Sequence, residues 1–307
     1  MTPKEREKLF AQARNRIARE QVGLMRGTRD DLVRLLGEAD DAIGVLLARQ
    51  PSDYQRWVLP QLSAEVRRTM AEFSQGGAAR VSGDAGRSWE MGVQLVDEPL
   101  DRAGVRISSL LPHIDTGQLL AMRAFTIDRI KDLATEAGNK ITAELGLVAI
   151  GARSPSDAIG AVSKILGESS RARATTIVRT NLGAMFSAAG QQRMAVASEH
   201  LPGLKKQWRR SGKLHPRLHH DLADGQIQPV DQPFVLRPLG KPPVELMYPR
   251  DPSAPVGEIV NCGCSSLPIM DSWEVAYRGR SPGSPLLDQE GESIADILAR
   301  TPASETA

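Results

Sequence analysis

Apolar residues recur at helical spacing along most of the first two hundred positions. Between Lys4 and Ala48 they return every three or four residues among charges, which predicts two or three amphipathic helices interrupted near Gly27-Thr28. The pattern breaks at Pro51, where Asp53 is a candidate N-cap, and it resumes from Val58 to Phe73. The first part of the chain is therefore expected to be helical.

The next stretches differ in their glycine and serine content. The segment Ser74 to Gly86 is rich in both, which predicts a loop. Helices are expected over about Arg87–Val96 and, more strongly, over about Thr116–Leu145. The buried stripe expected in the second of these consists of Leu119, Leu120, Met122, Phe125, Ile127, Ile130, Leu133, Ile141 and Leu145.

The residue composition and the predicted secondary structure change after Pro202. Before it, Ser154-Pro155-Ser156-Asp157 predicts the N-cap and first turn of a helix running to about Leu166, and a longer helix is expected over about 170–200. After it, prolines and glycines separate short β-prone pieces, namely Gln207-Trp-Arg, Gln226-Ile-Gln-Pro-Val, Phe234-Val-Leu and Gly257-Glu-Ile-Val.

These patterns predict an α+β fold with a largely helical N-terminal half and a small, loop-rich α+β module at the C-terminal end. The expected division is a helical domain over 1–150, the module over 151–277 and a flexible tail over 278–307. A short helix in the tail is expected to be built on Ile294, Ile297 and Leu298.

Composition narrows the function. Apolar residues make up 41% of the 307 positions, enough for a sizeable core, but aromatics are only 4%, which argues against sheets that stack bases on rows of rings. The longest apolar run, Leu145 to Ala152, is far shorter than the ~20 residues that cross a bilayer. The amino terminus has no apolar stretch typical of a secretory signal, so a cytoplasmic location and reduced thiols are expected.

Positive charge is concentrated in the middle of the chain. Residues 151–240 carry 13 basic and 6 acidic side chains, whereas 1–150 are balanced and 241–307 are acidic. The densest run contains Lys205, Lys206, Arg209, Arg210, Lys213 and Arg217 without one acid. A DNA phosphate backbone is the expected partner of this run, since counterion release favours such contacts; a solvated face is the alternative.

Metal-ligating residue types cluster beside that run. His220 and Asp224 lie in Leu214–Gly225, and the chain's two cysteines, Cys262 and Cys264, follow downstream. Zinc needs about four N, S or O ligands, which two thiolates, a histidine and either another histidine or Asp224 could supply, although a C-x-C pair is an unusual spacing for zinc. In the alternative interpretation, His220 and Asp224 bond backbone around the Asp224-Gly225 turn and the cysteines pack as small apolar groups.

A nuclease centre is a second possible chemistry here. It would use His219, His220 and Asp221 around a divalent ion next to the basic run, but the further asparagine and histidine it needs are not at suitable spacing. No Walker loop, Gly-x-Ser-x-Gly or Gly-x-Gly-x-x-Gly is present. Trp208 and Phe234 are most simply core residues of the small module.

Six short pieces occur in an order that is typical of one family. They are Arg179-Thr180-Asn181, Lys206-Gln207-Trp208, the run His215-Pro-Arg217-Leu-His219-His220-Asp221-Leu-Ala-Asp224-Gly225, Phe234, Tyr248-Pro-Arg-Asp-Pro252 and Asn261-Cys262-Gly263-Cys264. From about Ile177 onward the chain resembles the Mu F-like head morphogenesis proteins of tailed bacteriophages, also called minor head or minor capsid proteins. It departs from the family pattern at Asn181, His215 and Gly263, where the family has glutamate, arginine and arginine.

The resemblance implies a structural protein of the phage head and no enzymatic activity. It implies a low-copy virion component in the head interior or at the portal vertex, assembled in the bacterial cytoplasm with portal and major capsid or scaffold proteins, and in nonspecific contact with double-stranded DNA. The family-motif residues carried over are Arg179, Thr180, Trp208, Arg217, His220, Asp224, Gly225, Phe234, Asn261, Cys262 and Cys264. Two alternatives stay open: a metal-dependent enzyme acting on nucleic acid, and a zinc-stabilised fold without catalysis.

Overall fold

Long helices dominate the first two hundred residues of the protein. The computed structural model describes residues 1–49, 59–212 and 216–274. The long helices are α1 (Pro3–Ala48), α2 (Leu59–Arg102), α3 (Gly117–Ala149), α4 (Pro155–Lys164) and α5 (Arg171–Ser198). A 3₁₀ turn covers Ser108–Leu110, and a π-helical turn, Ile165–Ser170, joins α4 to α5.

Short strands and helices follow α5. They are β1 (Leu204–Arg209), α6 (Leu218–Leu222), β2 (Ile227–Pro229), β3 (Phe234–Leu236), β4 (Val244–Leu246), α7 (Val256–Ile259) and β5 (Ser265–Met270). All pairs are antiparallel: β1 lies between β2 and β5, and β3 pairs with β4. The predicted α+β class is confirmed, with helices in the N-terminal half and strands in a small C-terminal region.

The chain divides into two compact units, each made of separated segments. Unit 1 contains Met1–Met25, Asp84–Met122 and the described part of Arg179–Ala307. Unit 2 contains Arg26–Gly83 and Arg123–Val178. The functional division of the sequence at residue 150 stays a prediction.

Helix α1 is continuous, so the predicted interruption at Gly27-Thr28 is wrong. Leu24, Thr28 and Leu32 are all buried and lie four residues apart, so one buried stripe runs straight through the expected break. The low helix propensity of one glycine costs only about 1 kcal/mol, which the burial of that stripe outweighs.

The predicted loop at Ser74–Gly86 is also wrong, because these residues belong to α2. Val81 and Ala85 are fully buried. A Cβ at Gly77 would lie 3.0 Å from a Leu32 methyl and 3.1 Å from a methyl of Ile130, so the small residues let neighbouring helices approach closely in unit 2. Tertiary packing overrides the loop-like composition.

Unit 1 has a closer helix contact still and an ion pair formed by a buried arginine. A Cβ on Gly92 of α2 would meet the Phe186 carbonyl oxygen of α5 at 2.5 Å, so only glycine fits there. Five residues after Gly92, Asp97 of α2 accepts hydrogen bonds from Arg193 of α5 on both carboxylate oxygens, at 2.6 and 2.7 Å. The apolar core around these contacts includes Phe10, Val96, Leu100, Met194, Leu201, Leu204 and Val230.

Several local predictions are confirmed and others are corrected. The Ser154 side chain accepts the backbone N–H of Asp157 at 3.1 Å as the N-cap of α4, as expected. In α3 the expected inward side chain of Phe125 is 58% exposed. The piece containing Gly257 is helical rather than β, while β4 and β5 were not predicted. Asp53 and the tail helix lie outside the described residues.

Within the described ranges, no helix has both the length and the apolar composition that crossing a membrane requires.

Candidate functional site

Three separate elements bring His220, Cys262 and Cys264 together. His220 lies on α6, and the cysteines lie in the link between α7 and β5. Strand β1 connects them: it pairs with β5, and its Trp208 donates an indole hydrogen bond to the His220 carbonyl at 3.1 Å. The Trp208 ring also lies edge-on to Phe234, with centroids 5.3 Å apart. The prediction that Trp208 and Phe234 are core residues is confirmed, since both are fully buried.

The His220 imidazole faces both cysteines with one nitrogen. Its Nδ1 lies 3.6 Å from the Cys262 sulfur and 3.8 Å from the Cys264 sulfur, and the three atoms lie within 4.8 Å of one another. All three side chains are buried. The structure therefore brings together three of the four residues that the sequence nominates for zinc.

The other nitrogen of His220 contacts a carboxylate that sequence reasoning missed. Glu258 of α7 has one oxygen 2.7 Å from His220 Nε2 and 2.7 Å from His219 Nε2. Partial burial opposes ionisation of Glu258, but the hydrogen bonds from His219 and His220 outweigh it and lower the pKa of the carboxyl group. A signal was available in the sequence, because Glu258 lies only four residues before Cys262.

A buried arginine lies behind the cysteines. Arg250, 3% exposed, adopts a left-handed backbone with φ 68° and donates from Nη1 to the Cys262 carbonyl at 2.5 Å and from Nη2 to Ser187 Oγ at 3.1 Å. The pKa of Cys262 is lowered mainly because a hydrogen bond from the Cys264 thiol, together with the nearby Arg250 charge, stabilises its thiolate. A negative charge on Cys262 and burial both raise the pKa of Cys264.

The sulfur side of the site opens into a cleft of about 260 Å³. Its walls are formed by Ser211, Pro216, Arg217, His220, Asn261, Cys262, Gly263 and Cys264. The cysteine and histidine side chains thus lie at the bottom of a polar recess that a small molecule or water can enter.

Asp224, the fourth residue nominated for metal, is not part of this group. Its carboxylate accepts the backbone N–H of Arg210 at 2.9 Å and lies 3.7 Å from the Arg209 guanidinium. It therefore caps the end of β1, as the alternative interpretation of the Asp224-Gly225 turn expects. Gly225 has φ 83° and donates its N–H to the Trp208 carbonyl, a turn that favours glycine.

The nuclease arrangement is not formed by these residues either. Asp221 accepts a hydrogen bond from Arg210 at 2.6 Å, whereas His219 and His220 contact Glu258. Within the described ranges, the two groups of potential metal ligands are His220 with the two cysteines, and His219, His220 and Glu258. The expected aspartate is replaced by a glutamate from another element.

Lys206 is the clearest correction among the predicted DNA contacts. It is completely buried, and its ammonium group donates to the Met247 carbonyl at 2.7 Å and to Gln191 at 3.3 Å, 5.1 Å from the centre of the Phe234 ring. Burial lowers its pKa to about 8. Side chains alternate between the two faces of β1, so Leu204, Lys206 and Trp208 lie on the inner face. The sequence signal for the burial of Lys206 is its position two residues before Trp208, which is predicted to be a core residue.

The other basic residues of the run differ in exposure and in their hydrogen-bond and ion-pair partners. Lys205 pairs with Asp271, and Arg217 donates to the Val260 carbonyl at 2.8 Å, which ties α6 to the cysteine segment. The Arg209 and Arg210 side chains are 62% and 54% exposed, although both lie near carboxylates of α6 and its following turn. Lys213 lies outside the described residues.

The other family-motif residues mostly converge on the same module. The Thr180 hydroxyl of α5 accepts the backbone N–H of Asn261 at 3.0 Å, and Asn261 has φ 56°. Phe234 shares a core with Trp208, Ala223, Leu236, Leu246, Ala254, Cys262 and Cys264. Arg179 is exposed on α5 and is not part of this group.

Comparison with known proteins gives one partial similarity. The chain is 37% identical over 105 residues to YqbB of Bacillus subtilis (strain 168), which is described as an uncharacterized protein. The match covers 33% of this chain and 32% of YqbB, so it spans about a third of each. No family model and no solved structure match the chain.

Proposed function

We propose that the chain is a minor head protein of a tailed bacteriophage, of the Mu F-like head morphogenesis kind, acting in procapsid assembly at the portal vertex. The observation that supports this most is the meeting of motif pieces that stretch from Thr180 to Cys264 in sequence. Thr180 bonds Asn261, and Trp208, Phe234 and the cysteines share one core. Chance matches have no reason to meet in space, whereas a family pattern marks residues that one fold needs.

The partners of such a protein are the portal and the major capsid or scaffold protein. The helical residues 1–150 supply the surface for these contacts, and the small module lies toward the DNA. The function is structural rather than enzymatic, and its place is the head interior or the portal vertex.

The test is quantitative mass spectrometry of procapsids and mature particles made from the genome that encodes the chain. A few copies per portal ring in procapsids are expected, and their retention or loss in mature particles separates a virion component from an assembly factor. If the protein is missing from both kinds of particle, the proposal is wrong.

DNA contact is the second part of this proposal. It depends on fewer basic residues than the six that the sequence nominates. Lys206 is buried and Arg217 is bound to a carbonyl, so the exposed cations that remain for phosphate are Arg209, at the end of β1, and Arg210, which follows it. Each phosphate contact contributes about −0.9 to the slope of log affinity against log salt, so removing both arginines makes this negative slope shallower by about 2.

Filter binding of duplex DNA at several salt concentrations measures this slope. The variant is Arg209→Gln with Arg210→Gln, and the matched control is Arg67→Gln with Arg68→Gln, a neighbouring pair on α2. An unchanged slope in the first variant, or an equal change in the control, removes these arginines from the DNA contact.

A metal-dependent enzyme acting on nucleic acid is the alternative, and the cleft beside His220, Cys262 and Cys264 is the observation that favours it. Three protein ligands with one open position are typical of catalytic zinc. Relaxation of supercoiled plasmid by the purified protein with added magnesium, manganese or zinc, abolished by His220→Gln, would establish this activity. Inertness with all three metals removes it.

A further inference from the structure

The distances among His220, Cys262 and Cys264 are those of a tetrahedral zinc site. Zinc binds nitrogen at about 2.0–2.1 Å and sulfur at about 2.3 Å, so at the tetrahedral angle these two ligand atoms are about 3.6 Å apart. The measured separations from His220 Nδ1 are 3.6 Å to Cys262 Sγ and 3.8 Å to Cys264 Sγ. Two of the three edges of the ligand triangle therefore already have the length that the ion requires.

The hydrogen bond from His220 to Glu258 leaves Nδ1, the nitrogen that faces the cysteines, able to bind a metal. A carboxylate accepts but does not donate, so the 2.7 Å contact with Glu258 requires the proton of His220 on Nε2. Nδ1 then has a lone pair, and it faces the two sulfurs. A histidine ligand held by a carboxylate through its other nitrogen is the usual outer arrangement of zinc sites, and here His219 holds the same carboxylate oxygen.

The charges around the site balance when a divalent cation is present. Two thiolates and Zn²⁺ sum to zero, and the formal charges of the nearby Arg250 and of Glu258, which is held by His219 and His220, also sum to zero. Among the described residues, Arg250 has no hydrogen bond or ion pair with a carboxylate; its partners are the Cys262 carbonyl and Ser187. A buried site with both sulfurs ionised and no cation would carry an uncompensated charge, which is costly.

The backbone holds the ligand atoms in place before any ion binds. The Cys262 carbonyl is fixed by Arg250, the Asn261 N–H by Thr180, and the His220 carbonyl by Trp208. Beside Cys264, Ser265 of β5 pairs with Arg209 of β1, so the backbone at or next to each ligand is anchored to another element. Such preorganisation favours metal binding because little order is lost when the ion enters.

We propose that His220 Nδ1, Cys262 Sγ and Cys264 Sγ bind one zinc ion, whose fourth position faces the cleft and takes water or an external ligand. The set of two thiolates and one imidazole selects zinc over magnesium or calcium, which prefer oxygen ligands. The sulfurs bind as thiolates, so their protons leave to solvent. Glu258 and His219 act as positioning residues, and Asp224 takes no part.

Cobalt is the probe that tests this proposal on the full-length protein. The purified chain is treated with a chelator under reducing conditions and titrated with Co²⁺. One equivalent should produce tetrahedral d–d bands and a thiolate-to-cobalt charge-transfer band, and Zn²⁺ should then abolish both. Because the chain has only two cysteines, this charge-transfer band can come from no other site.

Variants locate the ion. Cys262→Ser, Cys264→Ser and His220→Gln should each remove stoichiometric zinc, measured by elemental analysis after growth with zinc. Glu258→Gln should keep the ion with roughly 10–100-fold weaker affinity, as expected for an outer partner. The matched control is His113→Gln, an exposed histidine outside the site, which should bind zinc like the wild type.

The wild-type titration alone can refute the proposal, whether or not the variants fold. Failure to bind cobalt or zinc stoichiometrically would mean that His220 only accepts a thiol hydrogen bond. Cobalt binding without a charge-transfer band, or unchanged zinc in the cysteine variants, would place the ion elsewhere. These results do not depend on the head-protein proposal, which particle composition tests separately.

Discussion

Lys206 makes the stability of the protein depend on pH in a defined window. Its ammonium group is buried in unit 1, and the pKa falls from 10.5 to about 8 because burial penalises the charge, while Asp231 and Asp251 oppose the shift in part. The folded state therefore loses this proton at a lower pH than the unfolded chain. Between these two pKa values the unfolded state binds more protons, so stability must rise with pH there.

The size of the effect follows from the two pKa values. At neutral pH both states are protonated, and burying the ammonium costs about 3 kcal/mol relative to an unshifted lysine. Moving from about pH 7.5 to about pH 9.5 recovers about 2 kcal/mol of this, because the folded lysine becomes neutral while the unfolded one stays mostly charged. Below the folded pKa the contribution no longer changes.

Urea denaturation at both pH values, followed by tryptophan fluorescence, measures the change. The free energy of unfolding of the wild type should rise by about 2 kcal/mol relative to Lys206→Met, which has a side chain of similar length and no charge. Lys205→Met, on the opposite face of β1 and paired with Asp271, should behave like the wild type. If the wild type and Lys206→Met have parallel pH profiles, the argument from burial is refuted.

Three further changes test the packing. Gly92→Ala should cost about 1–3 kcal/mol of unfolding free energy by denaturant titration because its Cβ meets backbone at 2.5 Å, whereas Gly23→Ala, with nothing within 4 Å, should be neutral or slightly stabilising; equal effects would contradict the close approach. Asp97→Ala should cost about 3–5 kcal/mol, since it leaves the Arg193 guanidinium buried without its carboxylate; a loss below about 1 kcal/mol in thermal unfolding would show the pair to be unimportant. Ser154→Ala should cost about 1 kcal/mol as loss of an N-cap, and restoration by Ser154→Asp is the check on that reason.

Local chemistry made part of the fold predictable. The Ser154 cap and the inward positions of Trp208 and Phe234 depend on neighbours in sequence or on side-chain size, and the structure confirms them. The sequence predicts a loop at Ser74–Gly86 because glycine and serine are frequent there. The structure has a helix, and its glycines allow close packing against helices distant in sequence, as at Gly77 beside Ile130. Composition indicates only local helix propensity, and here tertiary packing determines that the segment is helical.

The candidate site shows the same division. His220, Cys262 and Cys264 stood out because histidine and cysteine are scarce in this chain. Glu258 was missed because glutamate is common and the hydrogen bond joins α7 to α6, a contact that no local pattern encodes. A run of basic residues predicts an exposed Lys206, but in β1 every second side chain points inward, and Lys206 is one of these.

Unit 1 consists of three separated segments of the chain, and this affects the order in which the protein can fold during synthesis. Its first segment, Met1–Met25, leaves the ribosome early, but its last segment begins only at Arg179, about 150 residues later. At synthesis rates of about 5–20 residues per second, the apolar face of the first helix waits roughly 10–30 s for its partners in the last segment. Unit 2, whose segments end at Val178, is therefore complete before unit 1, and the first segment of unit 1 stays exposed to chaperones until Arg179 and the residues after it are made.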